Sequence, residues 1–443
     1  KGIYDYKIKG SIDIGQVVSV PLRKKIYLGI VIAKGSNNFP QYKLKDIIEI
    51  YKLPLISNEL LNFCYWLSDW YMSDISQVLK MVIPAVNFIS PVKDKAILKI
   101  NNKSNIVTTV LGKKVLEHLK KNPSLTLSEC SREVKVSYGV IKKLIFDKVL
   151  VIDSDNEIKY NKIIKENIPK LNQHQLDAIK KIKSIASKKN NNIFLLDGVT
   201  GSGKTEIYLE LISDEIKRGR QSLVLLPEIA LSKQFIDRFE KRFNFMPAIW
   251  HSEISNKEKR KTWQKVIKGE IKVVIGARSA LFMPFSSLSL IVVDEEHDSS
   301  YKQEDGIIYN ARDMAVVRGN LSNSKVILAS ATPSLESVHN ANIGKYNRIE
   351  LPERFGSAVM PRIKIIDMRK EKLSTNQWIA HESKEAIKKA LNDKEQVLLY
   401  INRRGYAPLT LCRSCGYRFQ CINCSSWLVN HKVINKMLCH YCG

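Results

Sequence analysis

A multidomain chain organised around a parallel α/β sheet is the fold class this sequence predicts, and three observations carry it. From Leu171 onward, short apolar runs alternate with helix-like segments, the pattern of parallel strands joined by crossover helices. The loops that follow those runs hold the chemically unusual residues, as ligand sites in open α/β sheets require. The chain, at 443 residues, also exceeds what one core can organise, so about three domains or more are expected.

Residues 1–90 read as a β-rich first unit. Residues 17–22 and 27–32 are strand-like around a basic turn at Arg23-Lys24-Lys25. Residues 57–73 then carry aliphatic and aromatic side chains at helical spacing, ending in Trp66, Trp70 and Tyr71. Such a stripe is expected to face a core rather than to stack on bases. Residues 95–165 read as a second unit. Residues 113–121 are helix-like and closed by Asn122-Pro123, and a second helix is expected from Thr126, where Glu129 completes a capping box. Residues 138–146 form a third amphipathic segment, followed by apolar 149–152, polar 153–156 and Ile158-Lys159-Tyr160. Three helices and a two-stranded wing describe a winged helix-turn-helix, which serves either as a DNA reader or as a protein–protein module. Strands of the central sheet are expected at 193–196, 223–226, 273–275, 290–293 and 326–329. New elements begin near Ser374, with a helix at 381–391 and a strand at 397–401 before a cysteine cluster. No internal repeat or low-complexity linker is visible.

The formal net charge of +27 fits a polyanionic partner such as nucleic acid or a membrane surface. Lys, Asn and Ile are abundant everywhere, as AT-rich coding would produce, so the charge is supportive only. No apolar run approaches the length of a membrane span, and no signal peptide is visible. The chain starts at Lys1 inside strand-like sequence, so a true N-terminus is expected upstream. Absent export signals and clustered cysteines favour a reducing cytoplasm.

Residues 194–205 read Phe-Leu-Leu-Asp-Gly-Val-Thr-Gly-Ser-Gly-Lys-Thr, an apolar strand running into Gly-x-x-x-x-Gly-Lys-Thr. The glycines (Gly198, Gly201, Gly203) let backbone N–H groups wrap phosphates, Lys204 reaches the β/γ-phosphates, and the Thr205 hydroxyl can ligate Mg²⁺. A second apolar strand ends in Asp294-Glu295-Glu296-His297, where Asp294 would complete the metal site and Glu295 would act as a base or orient water. A glycine-rich loop alone can be only a turn; both halves on strand ends, in this order, point to an ATPase. Gln175 lies upstream, where a side-chain amide could read an adenine edge. Leu226-Pro227-Glu228, His251-Ser252 and Gly276-Ala277-Arg278-Ser279 each follow an apolar strand and offer what a nucleic-acid phosphate needs. Ordinary capping fits each of these singly. Ser330-Ala331-Thr332-Pro333 ends the last strand with hydroxyls near the Asp294 edge, which suits a relay from the γ-phosphate site.

Of eight cysteines, Cys64 and Cys130 are scattered and read as small buried hydrophobes. The others form the pairs Cys412/Cys415, Cys421/Cys424 and Cys439/Cys442. Thiolate pairs two residues apart suit tetrahedral Zn²⁺, whereas disulfides fit a cytoplasmic motor poorly. The Cys424–Cys439 spacing approximates a zinc ribbon, so those two pairs are expected to share one zinc, leaving Cys412 and Cys415 as half a site. An iron–sulfur cluster is the alternative.

Residues 171–175, 197–208, 225–231, 276–282, 294–297 and 330–337 resemble the ordered motifs of superfamily 2 DNA helicases. More narrowly, residues 294–303 and Asn402-Arg403-Arg404-Gly405-Tyr406 resemble the replication-restart helicases of the primosomal protein N′ family. The resemblance covers essentially the whole chain. It implies a β-rich 3′-end DNA-binding domain at 1–90, a winged helix at 95–165, and a RecA-like helicase lobe 1 at 168–366. The start of lobe 2 would follow at 367–411, with an incomplete zinc-binding cysteine region inserted at 412–443. The implied activity is ATP-dependent 3′→5′ unwinding at stalled forks. Forked and single-stranded DNA, primosome proteins and single-strand-binding protein are the implied partners, in a bacterial cytoplasm without a membrane. Lys204, Asp294 and Glu295 would be catalytic. Gln175, Gly198, Gly201, Gly203, Lys204, Thr205 and Glu206 would bind ATP, with Thr205 and Asp294 on Mg²⁺. Arg278, Tyr301, Lys302, Tyr309, Arg312 and Thr332 would contact DNA or couple it to hydrolysis. Within the family's aromatic-rich loop, 301–313, this chain departs at Gly306-Ile307-Ile308 and Asn310, so weaker base stacking is expected. The family pattern carries a fourth cysteine pair and two zincs; here the chain stops at Gly443, before that pair, although His431 or His440 could substitute. A zinc-dependent fork-recognition scaffold and a related double-strand translocase are the competing readings, the second disfavoured by the cysteine pairs.

Such motors hydrolyse ATP between two lobes, and this chain reads as one lobe plus the start of another. Residues 1–443 are therefore expected to bind ATP yet turn it over slowly, and brisk DNA-stimulated hydrolysis by this chain alone would contradict that reading.

Overall fold

The computed structural model describes residues 2–8, 10–35, 44–84, 88–89, 97–101, 109–121, 127–147, 149–153, 171–186, 192–227, 233–355, 362–371, 373, 377–400, 415–422, 428–431 and 436–438. The chain divides into two compact units, residues 1–358 and 359–443.

The first unit opens with β1 (Val17–Leu22), β2 (Lys25–Ile30) and β3 (Glu49–Ile50), an antiparallel sheet in the order β2-β1-β3. Its hairpin pairs Leu22 with Lys25, so Lys25 belongs to the strand rather than to the expected turn. Two helices follow, α1 (Asn58–Trp70) and α2 (Ile75–Val82). Ser57 caps α1 by accepting from the Leu60 N–H, and Leu60, Phe63, Cys64 and Leu67 form its buried face. The aromatic stripe expected to face a core splits: Phe63 is buried, but Trp70 is 66% exposed and stacks on Trp66 at 5.2 Å.

Next come β4 (Ile97–Ile100), α3 (Val110–Lys121), α4 (Leu127–Val134), α5 (Tyr138–Phe146) and β5 (Leu150–Asp153), around a small core that includes Val115, Leu119, Cys130, Ile141 and Leu144. Strand β5 pairs antiparallel with β4, which precedes the helices. Thr126 and the expected strand at 158–160 lie outside the described residues.

The remainder of the unit alternates helix and strand: α6 (Gln173–Ala186), β6 (Ile193–Gly198), α7 (Lys204–Lys217), β7 (Gln221–Leu225), α8 (Lys233–Phe243), β8 (Ala248–Trp250), α9 (Asn256–Ile267), β9 (Val273–Gly276), β10 (Leu288–Asp294), α10 (Ala311–Leu321), β11 (Lys325–Ser330), α11 (Leu335–Asn342) and β12 (Asn347–Leu351). Its strands form one parallel sheet in the order β12-β6-β11-β10-β7-β9-β8. Alternate residues along each strand feed two cores. Leu195, Leu223, Ile291 and Leu328 meet α9 and α10, while Phe194, Val224, Val292 and Ile327 meet α6, α7 and α8. Burial on both faces is why the five strands expected from sequence read as unbroken apolar runs. Strand β8 is the apolar stretch expected before His251, whereas β12 went unforeseen because it lies at an edge, where one polar face is tolerated.

The first core does not stop at the sheet. Phe63 of α1 packs on Phe282 with ring centroids 5.6 Å apart. The Trp263 indole N–H donates to the Val82 carbonyl at 2.7 Å, and Gln264 Nε2 to the Phe88 carbonyl at 2.7 Å. Between them, buried Arg318 lies against Phe63 and Phe285 and donates to the Met283 carbonyl at 2.7 Å. The N-terminal helices and the parallel sheet thus share one apolar interior.

The second unit, taken alone, holds α12 (His381–Asn392) and a hairpin of β13 (Val429–His431) and β14 (Lys436–Leu438). Residues 397–400 form no strand, contrary to expectation; Leu398 is 88% and Tyr400 79% exposed. An apolar run becomes a strand only where a neighbour takes its amides, and none does so here among the described residues. Ile401 lies outside them. No described helix is long and apolar enough to cross a membrane.

Because Phe63 belongs to a shared core, Phe63→Ala is expected to cost about 3–5 kcal/mol in urea unfolding. N-terminal and nucleotide-sheet probes should report one transition; two separate midpoints in the wild type would contradict a shared core.

Candidate functional site

Strand β6 ends at Gly198, and the chain turns through Gly201 (φ 82°) and Gly203 (φ 83°) into α7. A β-carbon on Gly198 would meet Ser202 Oγ at 2.7 Å, and one on Gly203 would meet Gln175 Nε2 at 2.1 Å. The loop therefore packs too closely for side chains, and the first N–H groups of α7 open towards it. Lys204 Nζ donates to the Gly198 carbonyl at 2.7 Å. Burial lowers its pKa, against the raising influence of Glu295, Asp294 and Asp197. Gln175 is 1% exposed, and both ends of its amide are engaged: Oε1 accepts from the Asn172 N–H at 2.9 Å and Nε2 donates to the Ser202 carbonyl at 3.0 Å. Its amide holds the loop. Glu206, expected among the nucleotide-binding residues, pairs with Arg238 and Arg242 of α8, and Arg242 also reaches Glu210.

Asp294 ends β10, with β11 between it and β6. Its Oδ2 accepts from the Tyr208 hydroxyl at 2.9 Å and its Oδ1 from the Glu295 N–H at 3.1 Å. Burial pushes its carboxyl up from 3.8 to about 6. Tyr208 also hydrogen-bonds the Thr205 side chain, so one phenol joins the two groups expected to hold Mg²⁺. Glu295 sits in the left-handed backbone region (φ 47°), where a residue with a side chain is strained, and points its half-exposed carboxylate within 3.7 Å of His297.

The buried carboxylate of Glu296 accepts from the Ser334 N–H (2.7 Å), Ser334 Oγ (3.0 Å), Ser337 Oγ (2.9 Å) and Arg312 Nη1 (3.4 Å). His297 adds Nδ1 to Ser330 Oγ at 2.7 Å and Nε2 to Thr332 Oγ1 at 3.4 Å. Arg312 also bonds Asp313 and Ser334, which ties its guanidinium to the turn after β11. Tyr301 is buried, its hydroxyl donating to the Leu225 (3.0 Å) and Asp294 (2.5 Å) carbonyls. Tyr309 is buried edge-on against Phe282 at 5.4 Å. Each ring fills the core beneath the loop. Arg278 donates to the Ser300 and Lys302 carbonyls at 2.8 and 2.9 Å, and Lys302 is exposed. Tyr208 and Glu296 were not singled out from sequence. Tyr208 follows Thr205 by one helical turn, a usable signal; the partners of Glu296 lie too far along the chain to leave one.

Cys415 and Cys421 are described, whereas Cys412, Cys424, Cys439, Cys442, His440, Glu228 and residues 402–406 lie outside the described residues. Among the described residues no group of three or more His, Cys, Asp or Glu is gathered for a metal.

A phosphate loop and a strand-end Asp-Glu pair on one parallel sheet, wired through Glu296 to the turn after β11, define a RecA-like nucleotide-binding lobe of helicase type. In agreement, a DEAD/DEAH box helicase family model matches residues 172–341, and a 3′DNA-binding domain model matches residues 1–84. The chain is 41% identical to the replication restart protein PriA of Rickettsia felis, over 99% of this chain and 58% of that protein. It is 34% identical to that of Haemophilus influenzae over 100% of this chain and 62% of the relative. Against that of Bacillus subtilis, identity is 31% over 99% and 65%. The chain belongs to the family of the replication restart protein PriA, and it spans 58% to 65% of the length of these relatives.

Since the Asp294 carboxyl is raised from 3.8 to about 6, the folded chain holds more protons than the unfolded one between those values. Stability is lost as pH rises through this window, and the penalty is complete above it. In metal-free buffer Asp294→Asn is therefore expected to stabilise the chain by about 1–3 kcal/mol at pH 8, the gain shrinking towards pH 5. Thermal unfolding at both pH values measures it.

Proposed function

We propose that this chain is the nucleotide-binding and fork-recognising part of an ATP-dependent 3′→5′ DNA helicase of replication restart. The observation that carries this reading is 41% identity to a replication restart protein over 99% of the chain. The site supports it. Backbone N–H groups of Gly201, Gly203, Lys204 and Thr205, with the Lys204 side chain, would hold the phosphates, as in other phosphate loops. Thr205 and Asp294 offer hard oxygen ligands, joined by Tyr208, that suit Mg²⁺. Mg²⁺, when bound, supplies neutralisation of charge on the β/γ-oxygens. Glu295, on its strained backbone, would orient the attacking water and accept its proton. Glu296 would report the state of Asp294-Glu295 to Ser334 and Arg312, and so to the 301–313 segment between sheet and DNA.

Residues 1–84 would bind the 3′ end of a nascent strand, and α3–α5 with the β4–β5 pair would act as a winged helix on the parental duplex. Gln175 would read adenine with its second amide N–H and the second lone pair of Oε1. Cys421, Cys424, Cys439 and Cys442 would hold one Zn²⁺, and Cys412 with Cys415 would contribute to a second. Forked and single-stranded DNA would be the substrates. Primosome proteins and single-strand-binding protein would be the partners, in the bacterial cytoplasm.

On forked DNA, Lys204→Ala is expected to lower the wild-type ATPase rate about a hundredfold, as loss of a transition-state charge contact does. Equal rates in the two proteins would remove the motor and leave a zinc-dependent scaffold as the better reading.

A further inference from the structure

After β12 the chain makes a short strap, residues 351–355, that lies along the phosphate loop. The Val199 N–H donates to the Leu351 carbonyl at 3.2 Å, and the Phe355 N–H to the Gly201 carbonyl at 2.9 Å. A β-carbon on Gly198 would meet Leu351 Cβ at 2.9 Å, and one on Gly201 would stand 3.9 Å from Arg354 Cγ. Glu353 pairs with His174, the neighbour of Gln175, at 3.4 Å. The strap thus touches both the loop and the start of α6.

Within it, Arg354 Nε is buried and has no hydrogen-bond partner among the described residues. A guanidinium N–H taken out of water without an acceptor is costly, and such groups are rare in folded proteins. Strand order says on which side of the loop the strap lies. Asp294 stands on the β11–β10 side of β6, whereas the strap follows β12 on the opposite side. A nucleoside triphosphate with its terminal phosphates towards Lys204 and Asp294 must send its nucleoside towards the strap. There the Gln175 amide is partly committed to Asn172 and Ser202, and Arg354 Nε adds a donor that no protein group takes among the described residues.

We infer that Arg354 contacts the nucleoside half of ATP, donating to ribose or base acceptors, and that residues 351–355 form the wall of that subsite. The inference rests on the ATP-binding reading above and adds to it a residue that sets affinity for the nucleoside rather than for phosphate.

Calorimetric titration of the full chain with Mg²⁺–ATP and, separately, with Mg²⁺–tripolyphosphate tests it. Arg354→Ala is expected to weaken ATP about five- to tenfold, the worth of one or two hydrogen bonds, while tripolyphosphate affinity stays within about twofold. Arg354→Lys keeps the charge and most of the stem but lacks Nε–H, and should lose most of the same ATP affinity. The unliganded thermal midpoint should hold or rise in both variants, because an orphaned buried donor has been removed. Unchanged ATP affinity, an equal loss for tripolyphosphate, or a fall in midpoint without a change in ATP affinity would each overturn the inference. If the wild type binds neither ligand, the nucleotide-binding reading itself falls and takes this inference with it.

Discussion

The phosphate loop lies where it does because β-carbons are missing from it. Gly198 is pressed between Ser202 and Leu351, and Gly203 turns in a left-handed conformation hard against the Gln175 amide. Everything at the nucleotide end of the sheet follows from that close approach. Gln175 can clasp the Ser202 carbonyl, the strap after β12 can hydrogen-bond along the loop, and α7 can start at Lys204 with its N–H groups open. A side chain at either glycine would displace the clasp or the strap, and with it the direction in which Lys204 points.

Around this loop, buried charge is arranged by purpose. Behind α7, Glu206 and Arg242 neutralise one another, and Lys325 pairs with buried Glu215. Between the N-terminal helices and the sheet, burial lowers the Arg318 guanidinium to about 10 while aromatic faces and one carbonyl take its charge. These ions hold the framework, and single-sided removal would strand a charge. Asp294 differs. Its carboxyl is desolvated and raised to about 6, and its protein partners are a phenol and one backbone N–H rather than a salt-bridged cation. A site kept at that cost is ordinary where function needs a charge that stability would do without. Glu295 beside it carries backbone strain.

The sheet was legible because parallel strands covered on both faces must be apolar along their length, and five of them were. Strand β12 escaped because an edge strand can keep a polar side, as Asn347, Arg348 and Glu350 show. The opposite error fell at 397–400, where the apolar pattern is present but no ladder forms. One aromatic residue was misjudged: Trp70, expected in the core, stands in solvent, while Tyr301 and Tyr309 of the expected coupling segment are buried. Spacing places a ring on one side of a segment; what lies on that side is decided by other segments.

By itself the sequence determined the chemistry whose parts are close along the chain. The glycines, Lys204 and Thr205 act within one loop, and Asp294-Glu295 within one strand end, so their spacing is their geometry. Only the tertiary structure decided which distant groups complete them: Tyr208 on Asp294, Ser334 and Arg312 on Glu296, and the strap with Arg354 beside Gly201. Those partners come from separate elements and meet only because the parallel sheet lays its strand ends side by side. No pattern within one segment can encode a neighbour that strand order supplies.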